Sequence, residues 1–266
     1  MPSTDWRPDP GKGVFETLLV VDGRAVELEA HLRRLERSLD ELYGLEMPKG
    51  IGKQLQVGAG GLEIGRLRVT AVPVPSPNCA RPAADLQLTI DASEIDRTVV
   101  FPRRGIRLLT QLLPGGLGPH KLADRPKEIS RPALNEPGAL LVDKGEVLEA
   151  GWANIFAVRG GTLFTPPLDG RILPGTTRAA LLALTAATEI KTRERPLSPA
   201  DLISAEETFL TGSIRGIEPA LELDGEPLAG CGPLSNRLAA ALRQRWALTD
   251  APQASAAEPI LDQLSR

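Results

Sequence analysis

The chain has 266 residues, and its 31 lysines and arginines against 34 aspartates and glutamates give a formal net charge of −3. This near-neutral charge argues against nucleic-acid binding as the main function, because no strongly basic surface is available to contact phosphates. With two cysteines, Cys79 and Cys231, and two histidines, the sequence excludes a disulfide framework and a histidine-rich metal centre. It contains neither an apolar run near the roughly 18 residues that span a membrane nor a signal peptide, so we expect a cytoplasmic protein without membrane contact.

Residues 1–104 are predicted to form a small N-terminal α+β domain. The apolar run 14–21, followed by the turn pair Asp22-Gly23, predicts a β-hairpin. Leucines three and four residues apart over 28–42 predict a helix that ends near Gly44. The other predicted elements of this domain are a helix around 50–56 and strands over 66–72 and 86–92.

Residues 105–248 are predicted to form a larger C-terminal domain, followed by a tail over 249–266. A loop rich in glycine and proline over 114–119 leads to Lys121. Apolar runs between glycine turns predict three strands of an antiparallel meander, over 139–143, 147–159 and 162–167. The other predicted elements are a strand or crossover over 99–113, helices over 126–135, 179–188, 199–204 and 233–247, strands over 190–195 and 207–213, and a hairpin around 221–227.

Lys121 is the first candidate for chemistry. A lysine at the end of such a loop can enter a pocket, where burial lowers the pKa of the amine and makes it a nucleophile. The alternative is that Lys121 is one more solvated charge.

A second candidate is the run ILPGTTR at 172–178, where a helix starts after Pro174-Gly175. Free N–H groups and the hydroxyls of Thr176 and Thr177 would form an anion site there, or one threonine would simply be the N-cap.

Three further features have both a functional and a structural interpretation. Glu149 lies in an otherwise apolar run, so it is either a buried carboxylate that needs a partner or a strand-edge residue in solvent. The strand over 207–213 ends in Thr211-Gly212-Ser213, which offers hydroxyls and amides to a ligand or forms an ordinary turn. The arginines of the first helix are predicted to lie on a solvated face: Arg33, Arg34 and Arg37.

A reactive lysine, a buried carboxylate and an anion site at a helix start together suggest a pyridoxal phosphate enzyme. In these motifs the sequence resembles the fold-type IV, or class IV aminotransferase-like, family. That family includes 4-amino-4-deoxychorismate lyases, branched-chain aminotransferases and D-amino acid aminotransferases. The matching runs are GVFETL at 13–18, EAHLRRL at 29–35, HKLADR at 120–125, Glu149 with the run 154–156, LFTPPLDGRILPGTTR at 163–178 and FLTGSIRGIEP at 209–219.

The resemblance implies a mixed α+β fold of two lobes, in which the larger C-terminal lobe is a pseudo-barrel, together with a pyridoxal 5'-phosphate cofactor and a homodimer. It implies that Lys121 forms the Schiff base with the cofactor and moves protons, and that Glu149 pairs with the pyridine nitrogen. The other implied cofactor-binding residues are Arg34, Thr176, Thr177 and Ser213 at the phosphate, Leu173 on the ring and Gly175 in the preceding turn. The implied substrate-binding residues are Phe15, Ile214 and Arg215.

Two departures from the family pattern bear on the activity. The run 70–76, TAVPVPS, replaces an arginine-containing run, which argues against a D-amino acid aminotransferase and weakens the lyase assignment. The tyrosine often found after the lysine is absent, and Arg125 lies nearby, so the partner of the cofactor's phenolic oxygen stays open.

The runs TGSIRGIEP and K-x-x-D-R nevertheless resemble aminodeoxychorismate lyases more than branched-chain transaminases. The first hypothesis is therefore a lyase that converts 4-amino-4-deoxychorismate, a small-molecule amino substrate, to p-aminobenzoate and pyruvate. The second hypothesis is an aminotransferase that uses the same residues. The third is a degenerate family member without catalytic activity.

Overall fold

The computed structural model describes residues 6–75, 84–133 and 135–248. Its first part contains four strands and two helices: β1 (Val14–Val21), β2 (Arg24–Ala25), α1 (Leu28–Tyr43), α2 (Ile51–Ala59), β3 (Ile64–Pro75) and β4 (Ala84–Glu94). The strands form one antiparallel sheet in the order β2-β1-β3-β4. The predicted hairpin, helices and strands of this part are confirmed.

Strand alternation gives this first sheet two different faces. One face packs its apolar residues, such as Leu18 and Leu67, against Leu35 and Leu39 of α1. The opposite face carries Phe15 and Thr17 of β1 and Arg66 and Arg68 of β3, which line a cavity. The first sheet therefore has one face in the core and one face toward the rest of the protein.

The second part of the chain forms the larger sheet. Its elements are β5 (Ile106–Leu112), β6 (Gly138–Asp143), β7 (Glu146–Ala150), β8 (Asn154–Arg159), β9 (Thr162–Thr165), α3 (Thr176–Ala186), β10 (Thr192–Glu194), α4 (Pro199–Ile203), β11 (Glu207–Gly212), β12 (Gly216–Leu223), β13 (Glu226–Pro227) and α5 (Pro233–Arg245). Nine strands pair in the order β10-β9-β8-β11-β12-β5-β6-β7, with β13 on β12. Helices α3 and α5 cover the stacked rings of Phe156 and Phe209.

The predicted antiparallel meander is only partly correct. The run 147–159 is not one strand: it forms β7 and β8, separated by residues 151–153. At Gly151 a β-carbon would lie 1.8 Å from the carbonyl oxygen of Ile129, so the Ile129 backbone can approach the break between the strands this closely only because the residue is glycine. Three strand pairs, β5 with β6, β5 with β12 and β9 with β10, are parallel, which makes the sheet mixed.

The predicted helix over 126–135 is also wrong where the structure describes it. Only a 3-10 turn, Lys127–Ile129, forms between Pro126 and Pro132. A proline has no N–H to donate and fixes its own φ, so two of them leave room for a single turn. Apart from this turn, the described part of the segment therefore has no regular secondary structure.

The loop with Lys121 is held against the first sheet by backbone hydrogen bonds. The N–H of Phe15 donates to the carbonyl of Lys121 at 2.9 Å, and the N–H of Ala123 donates to the carbonyl of Gly13 at 2.8 Å. The first sheet ends at Glu94 and the second starts at Ile106, on either side of the predicted domain boundary. The division into two domains stays a prediction, and the predicted tail lies outside the described residues.

The α+β fold class is confirmed by this arrangement of two sheets with helices. Among the helices of the described residues, none combines the length and the apolarity that crossing a bilayer requires.

Candidate active site

Lys121 lies where the two sheets meet. Its side chain borders two adjoining cavities, and its Nζ is 5.0 Å from the centre of the Phe15 ring. Burial, reinforced by the positive charge of Arg34, lowers the pKa of the Lys121 amine to about 7. A substantial fraction of this amine is therefore uncharged at neutral pH and can act as a nucleophile or a base.

Glu149 is a buried carboxyl group on β7, with 3% of its surface exposed. The N–H of Leu173 donates to Oε1 at 3.1 Å, and the side-chain amide of Asn154 donates to Oε2 at 3.2 Å. Burial raises the pKa of Glu149 to about 7, although the positive charge of Arg125 opposes that rise. The interpretation of Glu149 as a residue in solvent is therefore wrong, although β7 is the last strand of the sheet, and a cationic N–H partner would favour its ionised form.

The first residues of α3, Thr176 and Thr177, and Thr211 of β11 line one candidate anion site, called the anion cradle below. The interpretation of one of the α3 threonines as the N-cap is wrong. The N-cap is Gly175, where a β-carbon would lie 2.0 Å from Oδ1 of Asn154. The Oγ1 atoms of Thr177 and Thr211 are buried and have no hydrogen-bond partner within the described residues. Two orphaned hydroxyls beside the free N–H groups of a helix start fit a phosphate group.

Arg34 projects from α1 toward this cradle, whereas Arg33 and Arg37 are exposed. Its guanidinium forms two hydrogen bonds with the carboxylate of Glu16, at 2.7 and 2.6 Å, and a third with the carbonyl of Pro174 at 2.8 Å. The solvated-face prediction therefore holds for two of the three arginines. Arg34 is buried because Glu16, which lies on the helix-facing side of β1, neutralises it.

Sequence reasoning missed Glu16 and His31. Both are buried with 2% of their surface exposed, and Nδ1 of His31 is 2.7 Å from Oε2 of Glu16. The signal was present in the sequence, since Glu16 interrupts the apolar run 14–21 at a position that alternation places on the buried face. A carboxylate there predicts a buried cation opposite it.

The larger cavity has a volume of about 390 Å³ and a strongly cationic lining. It lies between the face of the first sheet that carries Phe15 and Arg68 and the turn that joins β11 to β12. Its charged lining residues, apart from Lys121, are Arg66, Arg68, Arg125, Arg131, Arg215 and Glu218. Five arginines thus face one carboxylate, which is the composition of a site for an anionic ligand.

The arginines of this cavity differ in their partners. Glu218 is buried and accepts a hydrogen bond from Arg131 at 2.5 Å, and it lies 3.5 Å from Arg215. Arg68 instead stacks on the Phe15 ring, 3.9 Å from its centre. Within the described residues, neither Arg66 nor Arg68 contacts a carboxylate. The wall formed by β3 therefore presents positive charge without a direct ion pair, although Asp91, opposite Arg68 on β4, partly compensates the charge of Arg68.

Arg125 lies between the two cavities. Its guanidinium donates to the carbonyl of Gly151 at 2.5 Å and to that of Leu122 at 3.2 Å, and burial lowers its pKa. Within the described residues these two neutral carbonyls are its hydrogen-bond acceptors, so its charge is available to an anion. Arg125 is thus a candidate partner for the phenolic oxygen of the cofactor.

The structure brings the sequence-predicted residues together in these two cavities. The smaller cavity is lined by all the predicted cofactor-binding residues: Arg34, Lys121, Glu149, Leu173, Gly175, Thr176, Thr177 and Ser213. The larger cavity is lined by the predicted substrate-binding residues: Phe15, Ile214 and Arg215. The individual role of each residue stays a prediction.

Comparison with known proteins gives a consistent family. The family model for class IV amino-transferases matches residues 13–80 and 134–223. A provisionally named branched-chain-amino-acid aminotransferase of Methanocaldococcus jannaschii is 31% identical over 81% of this chain and 80% of its own length. The branched-chain-amino-acid aminotransferase of Escherichia coli is 36% identical, over 39% of this chain and 34% of its own length.

Solved structures share the fold. A provisionally named aminotransferase of Mycobacterium tuberculosis, in its form with bound pyridoxal phosphate, superposes with a TM-score of 0.73, at 24% identity, over 92% of this chain and 95% of its own. A protein of Legionella pneumophila provisionally named 4-amino-4-deoxychorismate lyase gives a TM-score of 0.74, at 24% identity, over 88% and 91%. These similarities establish the fold of two lobes that the motifs predicted.

Proposed function

We propose, from the premise that the chain belongs to the class IV aminotransferase family, that it is a pyridoxal-phosphate-dependent 4-amino-4-deoxychorismate lyase. Enzymes of this family depend on pyridoxal phosphate. The proposed reaction releases p-aminobenzoate and pyruvate from a substrate that carries one amine and two carboxylates.

The residues of the smaller cavity fit the cofactor. Pyridoxal phosphate, when bound, supplies an aldehyde for amine attachment and an electron-withdrawing ring. Lys121 would hold that aldehyde and afterwards carry the proton taken from the carbon that bears the substrate's amine. Glu149 would keep the ring nitrogen protonated, and the orphaned hydroxyls of Thr177 and Thr211 would donate to the phosphate.

The observation that supports a substrate with two carboxylates is the cationic lining of the larger cavity. A branched-chain amino acid carries one carboxylate and an apolar side chain, and apolar residues such as Trp152 and Ile214 also line the cavity, but Arg66 and Arg68 add positive charge without an ion-pair partner. A substrate with two carboxylates would neutralise charges on both walls. The run TGSIRGIEP supports the same choice, because it contributes Arg215 to the opposite wall.

The second candidate is an aminotransferase, which the 31% identical relative favours. The same Lys121 would then move a proton between the amino substrate and the cofactor. An acidic donor such as glutamate also carries two carboxylates, so the arginine lining alone does not separate the two activities. A degenerate member without catalytic activity is disfavoured, because Lys121, Glu149 and Arg34 line one cavity.

Product analysis separates these activities. The purified protein, loaded with pyridoxal phosphate, is incubated either with 4-amino-4-deoxychorismate or with single amino donors such as glutamate and leucine. A lyase forms p-aminobenzoate and pyruvate in equal amounts and leaves the cofactor as pyridoxal phosphate. Conversion of the cofactor to pyridoxamine phosphate by a donor alone, without pyruvate from the first substrate, would establish an aminotransferase instead.

Replacing Lys121 by alanine should reduce turnover of whichever substrate is accepted by about a thousandfold or more, because nucleophile and proton carrier are lost together. Borohydride reduction followed by peptide mapping should attach the pyridoxyl group to Lys121 in the wild type and to no lysine in this variant. The control is Lys127→Ala, since Lys127 is exposed and only six residues away. A label on Lys127, or full activity of Lys121→Ala, would contradict the assignment.

A further inference from the structure

The hydroxyl of Thr176 differs from the other hydroxyls of the anion cradle. The Oγ1 atoms of Thr177 and Thr211 have no partner within the described residues. Oγ1 of Thr176, by contrast, lies 3.2 Å from Nε2 of His31 and 3.2 Å from Oγ of Ser213. Whether the hydroxyl of Thr176 can donate a hydrogen bond to a phosphate therefore depends on whether Nε2 of His31 carries a hydrogen.

The hydrogen bond to Glu16 determines the protonation of one nitrogen of the His31 ring, Nδ1. Burial raises the pKa of Glu16, but the charges and hydrogen bonds of Arg34 and His31 outweigh burial and hold that pKa well below its usual range. Glu16 is therefore an ionised acceptor, and Nδ1 of His31, 2.7 Å away, must carry a hydrogen. In the neutral imidazole, Nε2 then has only a lone pair.

This tautomer makes Thr176 unsuitable for an anion. A hydroxyl has one hydrogen, and with a lone pair on Nε2 that hydrogen is donated to His31. The oxygen of Thr176 would then turn its lone pairs toward a phosphate oxygen, which repels them. If Nε2 also carries a hydrogen, Thr176 accepts from His31, and its own hydrogen can be donated to the phosphate when Ser213 acts as a donor toward Thr176.

The charges around His31 favour the neutral ring while the cradle holds no anion. Burial lowers its pKa, and the positive charges of Arg34 and Lys121 lower it further, whereas Glu16 opposes them. Glu27, just before α1, also acts on His31, but it is itself paired with Arg245. On the remaining side, α3 contributes the uncharged Thr176. A phosphate dianion would add negative charge on that side, and this favours the imidazolium.

We propose that His31 takes up a proton when a phosphate group occupies the cradle, and that it thereby turns the hydroxyl of Thr176 into a donor to that phosphate. His31 is then a positioning residue for the cofactor phosphate, connected through Glu16 to Arg34. The inference concerns the cofactor and holds for a lyase and for an aminotransferase alike.

The presence of two histidines in the sequence allows a direct test by ¹⁵N NMR of histidine-labelled protein. The spectra of the cofactor-free protein and of the protein loaded with pyridoxal phosphate are compared at pH 7.5, and His120→Gln assigns the signals. We expect His31 to be protonated on one nitrogen without cofactor and on both with pyridoxal phosphate. Pyridoxal, which lacks the phosphate, should leave it singly protonated. A singly protonated His31 in the loaded protein would overturn the proposal.

The affinity for pyridoxamine phosphate, which forms no bond with Lys121, gives a second measurement between pH 7 and 9. The phosphate is a dianion throughout this range, since its second pKa is about 6. Uptake of one proton on binding makes the affinity fall by up to about tenfold per pH unit as the pH rises.

His31→Gln should lose this part of the pH dependence, because the glutamine amide donates a hydrogen bond without titrating. His120→Gln should retain it, and any proton taken up by Lys121 is common to all three proteins. Equal slopes in the wild type and His31→Gln would contradict the proposal, since a purely structural histidine changes affinity at every pH alike. If His31→Gln does not fold, the NMR comparison on the wild type still decides.

Discussion

Arginines line both the cradle and the larger cavity, but Arg34 of the cradle is buried, whereas Arg66 of the larger cavity is exposed and Arg68 is half-buried. In the cradle, Arg34 is held by two hydrogen bonds to Glu16 and one to a carbonyl. In the larger cavity, Arg66 and Arg68 contact no carboxylate within the described residues. In the cradle the buried cation is neutralised before any ligand binds, whereas the larger cavity has excess positive charge.

The difference corresponds to what each region has to bind. A resident phosphate needs a rigid, prearranged site, and a buried guanidinium is tolerated there only because Glu16 compensates it. A substrate that enters and leaves needs charges that are still free when it arrives. Partial exposure of the larger cavity to solvent makes those free charges tolerable, because water screens them.

The largest effect is expected from Glu16→Ala, which removes the carboxylate that neutralises Arg34 in the cradle. Arg34 would remain buried without its carboxylate, and the free energy of unfolding should fall by about 3–5 kcal/mol. Denaturant unfolding of the cofactor-free protein measures this change. Glu36→Ala, which removes an exposed glutamate of α1, should change it by less than about 0.5 kcal/mol. Equal effects of the two substitutions would show that Arg34 does not depend on Glu16.

A smaller effect, on a different property, is expected from Arg68→Gln in the larger cavity. Loss of a charged hydrogen bond to a substrate carboxylate should raise KM for a substrate with two carboxylates by about 10- to 100-fold. Stability and the affinity for the cofactor should stay close to wild type, because Arg68 forms no direct ion pair and its cross-strand neighbour Asp91 is exposed to solvent. Arg33→Gln on the exposed face of α1 serves as the control. An unchanged KM would remove the main support for an anionic substrate.

The smallest effect is a pH dependence of the cofactor-free protein. The pKa of Glu149 rises from 4.5 to about 7 on folding, so between these values the folded state holds a proton that the unfolded state has released. The stability from this group is fully present below pH 4.5 and is lost as the pH rises through 7. Lys121, whose pKa falls to about 7 on folding, contributes a slope of opposite sign that begins only as the pH approaches 7.

Glu149→Gln should change the slope by about 1 kcal/mol per pH unit between pH 5 and 7, and this difference isolates Glu149 because His31, whose pKa burial lowers, contributes an opposite slope to both proteins. Unfolding free energies at several pH values, measured without cofactor, give the slope for both proteins. Glu146→Gln, on the same strand but half-exposed, is the control and should keep the wild-type slope. A wild-type slope in Glu149→Gln would assign the pH dependence to another group.

Local signals made much of the site predictable. Glycines and prolines before Lys121 marked a loop, Pro174-Gly175 before two threonines marked a helix start, and a carboxylate in an apolar run marked Glu149. Each of these signals is contained in a few consecutive residues. The division of 147–159 into two strands was not predictable, because it depends on Ile129 packing against Gly151 from a separate segment.

The sequence by itself determined the α+β elements, the lysine loop and the helix start that carries the anion cradle, because periodicity and turn chemistry act over short distances. Only the tertiary structure decided which charges meet. Arg33 and Arg34 are neighbours in the chain, yet one is solvated and the other is buried against Glu16. A buried charge is stabilised by partners that come from distant parts of the chain. The contacts of His31 with Glu16 and with Thr176, and therefore the roles of these residues, are visible only in the folded structure.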